Sequence, residues 1–291
     1  SYITGITSAT AFTISQNTTA TLAATTFSAS GTLDLNGLTG VTGNVIINGT
    51  GAAAMAGANN AALWNSSATA ASLTGVLTLG STASVGGFGD LTLGVINSAP
   101  GLTLAKVGSD TLNLNTDNLN TLLGPISVGA GILKLGNANA LGSTGQGTVI
   151  GAAFTTGATS TTVVGSTTVT VSSTAGLQIG QAVTGASGNT VRIQPGAVIT
   201  SILSATQFTI SHAAIGAAAD VIVTVTGGGL IDLNGFSTSE LLTIAGTGRS
   251  NFTSARNTLG ALINTAAGTS TLGGAVTLAG AASVGSDWIN A

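Results

Sequence analysis

Residues 101–136, "GLTLAKVGSDTLNLNTDNLNTLLGPISVGAGILKLG", decide the fold class of this chain. Leu, Val and Ile alternate with Thr, Asn, Ser or Lys in short runs such as "TLNL" and "LTLAK". A period of two is typical of β-strands that bury one face. Gly or Asn follows each run, and both residues accept turn conformations. The segment therefore predicts many short strands joined by tight turns.

The same pattern continues on both sides of this segment, in "TLDLNG", "NVIING" and "GVLTLG". Sandwich strands usually run about five or six residues, with turns about every 8–12 residues. The runs here are shorter and the turns are denser. This pattern of short runs and closely spaced turns favours an all-β, parallel β-solenoid (β-helix), in which each coil stacks its strands on the coil before it.

The composition excludes several classes of protein. Of the 291 residues, 5 are Lys or Arg and 8 are Asp or Glu, which is 4%, against about 25% in an ordinary domain. A nucleic-acid-binding surface needs many Lys and Arg residues to neutralise phosphates. The absence of Cys excludes a disulfide scaffold. No apolar run of about 18 residues is present, so we predict no membrane insertion.

An internal repeat of about 198 residues organises the chain. The matching segments, in the same order in both copies, are "SYITGITSATAFTIS" (1–15) with "AVITSILSATQFTIS" (197–211), "GTLDLNG" (31–37) with "GLIDLNG" (229–235), and "LTGVLTLGSTASVG" (73–86) with "LGGAVTLAGAASVG" (272–285). The first pair is identical at ten of fifteen positions, and the offset grows only from 196 to 199. The chain therefore holds about one and a half copies.

The repeat predicts four parts. Residues 1–30 form the C-terminal half of a small β module, and residues 31–161 form a solenoid segment. Residues 162–228 form a complete small β module, a barrel or sandwich, because their runs are longer and richer in β-branched residues. This module resembles those found repeatedly in large bacterial surface proteins and phage tail proteins. Residues 229–291 begin the next solenoid segment.

Residues 101–150 resemble the autotransporter-associated β-strand repeat. The match depends on Lys106, Gly108, Leu112, Leu114, Val128, Gly131, Leu133, Leu135 and "GNANALG" (136–142). In place of the family's usual "NTYTGGT" portion, this chain has "DNLNTLLGP". The resemblance implies a right-handed β-solenoid from a secreted bacterial surface protein.

Few residues suit catalysis, and we predict that the protein is not an enzyme. His212 is the only histidine, and the matching position of the other copy is Gln16. Asp34 and Asp232 match each other across the repeat and so belong to separate copies. A polysaccharide-degrading solenoid would need clustered acids in a groove, and it remains a further alternative.

We predict no cofactor, with calcium as an alternative. The calcium candidates are Asp34, Asp117 and Asp232, which lie in "DLNG" and "NTDNLN" segments. A single Asp followed by Asn-Gly is better explained by a tight turn, because Asn and Gly accept positive φ. Lys106 and Lys134 could form isopeptide cross-links with Asn, but such bonds need a buried acid nearby, and the sequence does not identify one.

The sequence also suggests a subunit interface. Its candidate residues are Tyr2, Ile3, Phe12, Ile14, Trp288 and Ile289. Large aromatic residues near the two termini either cap a core or bury against a neighbouring subunit. A surface with so few charges also does little to keep copies of the chain apart.

These observations lead to one main hypothesis and one alternative. The main hypothesis is a structural subunit of an extracellular bacterial fibre, filament or sheath. Copies of the chain would assemble head to tail, through solenoid stacking or through completion of the half module. The alternative is a monomeric stalk or passenger of a cell-surface adhesin, which would contact a glycan or another cell-surface partner.

Overall fold

The computed structural model describes residues 3–8, 11–14, 24–26, 31–49, 51, 61–108, 110–151, 154–155, 159–174, 177, 182–195, 197, 199–226, 228–246, 248 and 260–286. Within these residues the chain forms 28 β-strands and no helix, which confirms the all-β prediction. The described part of the chain accordingly has no helix that could cross a membrane.

The strands are numbered β1 to β28 along the chain and fall into a hairpin and three sheets. The hairpin consists of β1 (Ile3–Ser8) and β2 (Ala11–Ile14). Sheet 1 consists of β3 (Ala24–Thr26), β4 (Leu33–Asp34), β5 (Asn44–Gly49), β6 (Leu63–Asn65), β8 (Leu77–Gly87), β10 (Ile96–Ser98), β11 (Leu104–Gly108), β13 (Ile126–Val128), β15 (Thr148–Ile150), β25 (Leu242–Gly246) and β27 (Val276–Ala282). Sheet 2 consists of β7 (Ala71–Leu73), β9 (Leu91–Leu93), β12 (Thr111–Leu114), β14 (Ala130–Leu135), β24 (Gly228–Asp232), β26 (Leu262–Asn264) and β28 (Val284–Ser286). Sheet 3 consists of β16 (Phe154–Thr155), β17 (Ser160–Thr162), β18 (Thr168–Thr170), β19 (Ala182–Ser187), β20 (Thr190–Ile193), β21 (Ile199–Ser204), β22 (Gln207–Ile210) and β23 (Ala218–Thr226).

All the described strand pairs of sheets 1 and 2 are parallel, and their registers recur at short intervals along the chain. In sheet 1, Leu104 of β11 lies opposite Ile126 of β13, and Ile126 in turn lies opposite Thr148 of β15. In sheet 2, Leu112 of β12 lies opposite Leu133 of β14. The chain therefore visits sheet 1, crosses to sheet 2 and returns to sheet 1 one strand further along.

Alternation explains which face each strand buries. In β9, for example, Leu91 and Leu93 are buried while Thr92 is half-buried. Side chains of this kind from sheets 1 and 2 form one continuous core between Leu33 and Leu262. Because neighbouring parallel strands align their apolar positions, a buried residue of one strand lies beside an equivalent residue of the next, as Leu91, Leu112 and Leu133 do.

Sheet 3 is antiparallel and interrupts the parallel stack. Thr148 of β15 lies opposite Leu242 of β25, and sheet 3 occupies the interval of chain between them. It has a separate core, which includes Val169, Val183 and Phe208. Among the described residues β20 and β21 remain at its two edges, so their pairing does not close a barrel. Its strands run from residue 154 to residue 226, and the domain boundaries at 162 and 228 stay predictions.

The repeat in the sequence is also a repeat in the strand pairing. In the hairpin, Ile3 lies opposite Ile14, and at the matching place of sheet 3 Ile199 lies opposite Ile210. Both hairpins have irregularities in their register at matching positions. The two copies thus specify the same local structure, although β2 lacks among the described residues the additional partner that β22 finds in β18.

Candidate functional site

The "DLNG" segments form the same hydrogen-bonded turn in both copies. Asp34 Oδ1 accepts hydrogen bonds from the N–H groups of Asn36 (2.9 Å) and Ser66 (3.0 Å), and Asp34 Oδ2 accepts one from the Ser66 hydroxyl (2.5 Å). Asn36 has φ 46° and Gly37 has φ 77°. Gly fits the second position because it adopts positive φ without steric cost.

In the second copy, Asp232 Oδ1 accepts hydrogen bonds from Asn234 N–H (2.9 Å) and Thr265 N–H (3.1 Å). Asp232 Oδ2 accepts one from the Thr265 hydroxyl (2.6 Å), and Asn234 again has positive φ, 47°. Each aspartate therefore joins its own turn to the residue that follows the neighbouring parallel strand, β6 or β26. In both copies the carboxylate oxygens are engaged by protein donors, which is the role expected of a tight turn.

Asp117, the third calcium candidate, is exposed on the outer surface. Its Oδ1 accepts a hydrogen bond from Leu119 N–H (3.0 Å), and its Oδ2 accepts one from Asn139 Nδ2 (2.9 Å). These bonds, chiefly the one from Asn139, lower the pKa of the Asp117 carboxyl. The structure does not bring the three candidates together, and the described residues contain no cluster of three His, Cys, Asp or Glu suited to a metal ion.

Lys106 and Asp110 form a buried ion pair that sequence reasoning missed. The Lys106 Nζ donates to Asp110 Oδ1 (2.7 Å), to Val107 O (2.7 Å) and to Gly108 O (3.2 Å). Asp110 Oδ1 also accepts a hydrogen bond from Gly87 N–H (2.9 Å). Burial raises the pKa of the Asp110 carboxyl despite the opposing effect of the Lys106 ammonium. The close spacing of the two residues in the sequence was the available signal, but nothing in the sequence indicated that both side chains are buried.

Glu240 is the second buried acid that the sequence did not reveal. It lies just before β25 and is 2% exposed, and its Oε2 has no hydrogen-bond partner among the described residues. Burial raises the pKa of the Glu240 carboxyl to about 7, and the neighbouring Gly147 and Thr148 oppose this shift only in part. Alignment of the strand pairs places Gly43 at the matching position of the first copy. Glu240 is therefore not a requirement of the repeat.

A cleft of about 500 Å³ is lined in part by residues 237–239, which precede Glu240 in the sequence. Asn139 and Thr144 also contribute to its lining. None of the described lining residues is charged. The cleft can donate and accept hydrogen bonds, but its described lining supplies neither an acid nor a base and lacks the aromatic surface on which a sugar ring would stack.

The last strands of the two parallel sheets expose apolar side chains. Val276 and Leu278 in β27 are 39% and 64% exposed, and Val284 in β28 is 65% exposed. The matching residues of the first copy are Leu77, Leu79 and Val85 in β8, and they are 0%, 3% and 0% exposed. The difference arises because β10 and β11 stack on β8 in the first copy, whereas β27 and β28 have a parallel partner on one side only among the described residues.

Three of the six interface residues predicted from the sequence lie within the described residues. Tyr2, Trp288 and Ile289 lie outside the described residues. The structure places Ile3 in β1 and Phe12 and Ile14 in β2. The repeat-equivalent residues Ile199, Phe208 and Ile210 are buried in the core of sheet 3.

Comparison of the chain with protein-family models, with curated proteins and with solved structures gave no match. The resemblance to the autotransporter-associated repeat accordingly stays a prediction.

Proposed function

We propose that this protein is a structural subunit of an extracellular bacterial fibre, filament or sheath, and that its parallel sheets are the faces of a right-handed β-solenoid. The observation that supports this most directly is the recurrence of the same DLNG turn, with the same kinds of donor, in both copies of the internal repeat. Each turn fastens one coil to the next through Asp34 or Asp232. Such repetition is typical of modules that are stacked to make length.

The parallel pairing supports the proposed right hand of the solenoid. A strand that returns parallel to its neighbour in the same sheet does so by a right-handed connection in about 98% of cases. The described pairs of sheets 1 and 2 are all parallel, and each coil of the stack returns to the same sheet in this way. The proposal treats sheet 3 as a small sandwich or barrel-like module inserted into this solenoid, because it has its own core.

The uncharged surface suits a structural role in a stack. Thr, Asn and Ser occupy the outward positions, as Thr92 does in β9 and Asn113 does in β12. These side chains form hydrogen bonds without the like-charge repulsion that keeps copies of soluble proteins apart. A secreted location agrees with the resemblance of residues 101–150 to a surface-protein repeat.

Electron microscopy and fibre diffraction of the purified 291-residue chain would test the proposal. We expect filaments, with a reflection along the fibre axis at about 4.7–4.9 Å from the stacked strands. Immunogold labelling of the producing cells should place the protein outside the cell. Discrete monomers at high protein concentration would overturn the fibre hypothesis, and monomers that bind a glycan or a cell surface would favour the adhesin stalk instead.

A further inference from the structure

Three Asn-Gly steps occur in the sequence, at residues 36–37, 48–49 and 234–235. Asn followed by Gly is the pair that deamidates most readily, because Gly has no side chain to hinder its backbone nitrogen. That nitrogen loses its proton to solvent and forms a bond to Asn Cγ, while the bond from Cγ to the side-chain nitrogen breaks and ammonia leaves. Water then opens the resulting ring to give Asp or isoaspartate. A hydrogen bond from the Gly N–H opposes the first step, because it holds the proton that must leave.

In both DLNG turns the Gly N–H donates to the side-chain oxygen of an Asn. Gly37 N–H donates to Asn65 Oδ1 (2.8 Å), and Gly235 N–H donates to Asn264 Oδ1 (2.8 Å). The two acceptors are the last residues of β6 and β26, which pair in parallel with β4 and β24. Each acceptor therefore comes from a neighbouring strand and not from the turn itself.

The acceptor residues are held in the same way by the turns that they contact. In the first copy Asn65 precedes Ser66, and the Ser66 N–H donates to Asp34 Oδ1 (3.0 Å). In the second copy the Thr265 N–H donates to Asp232 Oδ1 (3.1 Å). Turn and neighbouring strand thus each engage the backbone nitrogen that would attack the Asn of the other.

The third Asn-Gly step lies at the end of β5 and has an acceptor in β8. Gly49 N–H donates to Ser81 Oγ (2.9 Å). The register of β5 against β8 shifts between Ile47 and Gly49, so that residues 80–82 lie opposite Asn48. Ser81 is the middle residue of this irregularity, which brings its hydroxyl group to the Gly49 nitrogen.

The second copy lacks both the Asn and the acceptor at this place. The pairing of β25 with β27 has the same register shift as the pairing of β5 with β8. This register puts Ala245 at the position of Asn48 and Gly280 at the position of Ser81. The strand irregularity itself therefore does not require Ser, and across the repeat the acceptor is present where Gly follows Asn and absent where Gly follows Ala.

From these contacts we propose that the three Asn-Gly steps are latent sites of spontaneous deamidation, and that Asn65, Ser81 and Asn264 keep them unreactive in the folded protein. Isoaspartate lengthens the main chain by one atom, so its formation in a DLNG turn would disturb the hydrogen bonds that join the turn to the next strand. The inference concerns the single folded chain and does not depend on assembly into a fibre.

Ser81→Ala is the first test, because Ser81 is only half-buried and its loss should change the stability little. The variant is incubated in mildly alkaline buffer, and deamidation of each Asn is followed by peptide mass spectrometry. We expect the rate at Asn48 to rise by about two- to tenfold, the range that corresponds to loss of one ordinary hydrogen bond. Ser81→Thr is the matched control, since it keeps the hydroxyl group and should keep the wild-type rate. The rates at Asn36 and Asn234 should not change in either variant.

The two DLNG turns give a second, reciprocal test. Asn65→Ala should accelerate deamidation at Asn36 and leave Asn234 unchanged, whereas Asn264→Ala should do the reverse. Circular dichroism identifies variants that remain folded. Wild-type protein unfolded in urea supplies the reference rates, which should be similar at all three Asn-Gly steps and faster than in the folded protein.

The outcomes decide the proposal in either direction. Acceleration confined to the Asn whose acceptor is removed supports it. It is overturned if Asn48 deamidates at the same rate in Ser81→Ala and Ser81→Thr, or if the folded wild type deamidates as fast as the unfolded chain. Equal acceleration at all three steps in Ser81→Ala would also overturn it, because general loosening of the fold would then be the cause. If Asn65→Ala fails to fold, the comparison of the two Ser81 variants decides alone.

Discussion

The buried carboxyl of Glu240 should make the stability of the protein depend on pH, and Glu240→Gln is the substitution that reveals it. The usual pKa of this group is 4.5, and burial raises the pKa to about 7. Between these values the unfolded chain ionises while the folded chain keeps its proton. The unfolded state therefore binds fewer protons than the folded state, and the free energy of unfolding falls as the pH rises through this window.

The magnitude follows from the size of the pKa shift. A shift of one unit corresponds to about 1.36 kcal/mol, so the full shift amounts to about 3 kcal/mol. Below about pH 4.5 both states are protonated, and the Glu240 carboxyl then costs no stability. Above about pH 7 the loss of stability is complete.

Denaturant unfolding followed by circular dichroism across this pH range would measure the effect. Glu240→Gln should unfold at the same denaturant concentration as the wild type at low pH and at a higher concentration above about pH 7. Gly43→Glu is the matched control, since it adds a carboxyl at the repeat-equivalent position, where a new Cβ meets no atom within 4 Å. The control should not reproduce the pH dependence. A wild-type-minus-variant difference that stays constant with pH would refute the assignment of a buried, late-titrating Glu240.

Three further experiments test the buried ion pair, the turn and the exposed edge strand, each by the denaturant midpoint of unfolding. Lys106→Met leaves the Asp110 carboxylate buried without its partner and should cost about 3–5 kcal/mol; adding Asp110→Leu should restore most of this loss, and no restoration would contradict the ion-pair argument. Asp232→Ala removes the acceptor of three hydrogen bonds and should lower the free energy of unfolding by about 1–3 kcal/mol, whether or not a calcium chelator is present. A chelator that destabilises the wild type as much as the substitution does would instead point to a metal site. Leu77→Ala, at a fully buried position, should cost about 3–5 kcal/mol, whereas Val276→Ala at the matching exposed position should cost less than about 0.5 kcal/mol in monomeric protein; equal costs would contradict the open edge.

The strands were largely predictable from the sequence because their cause is local. Alternation of apolar and polar residues predicts the buried and outward faces of β9 and β12, and the positive φ of Asn234 follows from its place before a Gly in "DLNG". The matching segments 1–15 and 197–211 also form hairpins that pair alike. These features depend on residues within a few positions of one another.

The buried acids could not be predicted, because their burial depends on strands that are distant in the sequence. Asp110 accepts a hydrogen bond from Gly87 N–H, which belongs to β8. Glu240 lies beside Thr148, and the whole of sheet 3 lies between these two residues in the sequence. Neither neighbour follows from the alternation pattern, which specifies the face of a residue but not the strand that will cover it.

The Lys106–Asp110 pair also bears on how the stack keeps its register. The pair connects strands that are distant in the sequence, because Asp110 accepts a hydrogen bond from Gly87 N–H in β8 and Lys106 Nζ donates one to Ala130 O in β14 (3.4 Å). Gly131 leaves room for it: a Cβ there would lie 2.7 Å from Lys106 Nζ. Short strands of similar sequence can pair in more than one register, and a slip would separate two buried charges, which is costly.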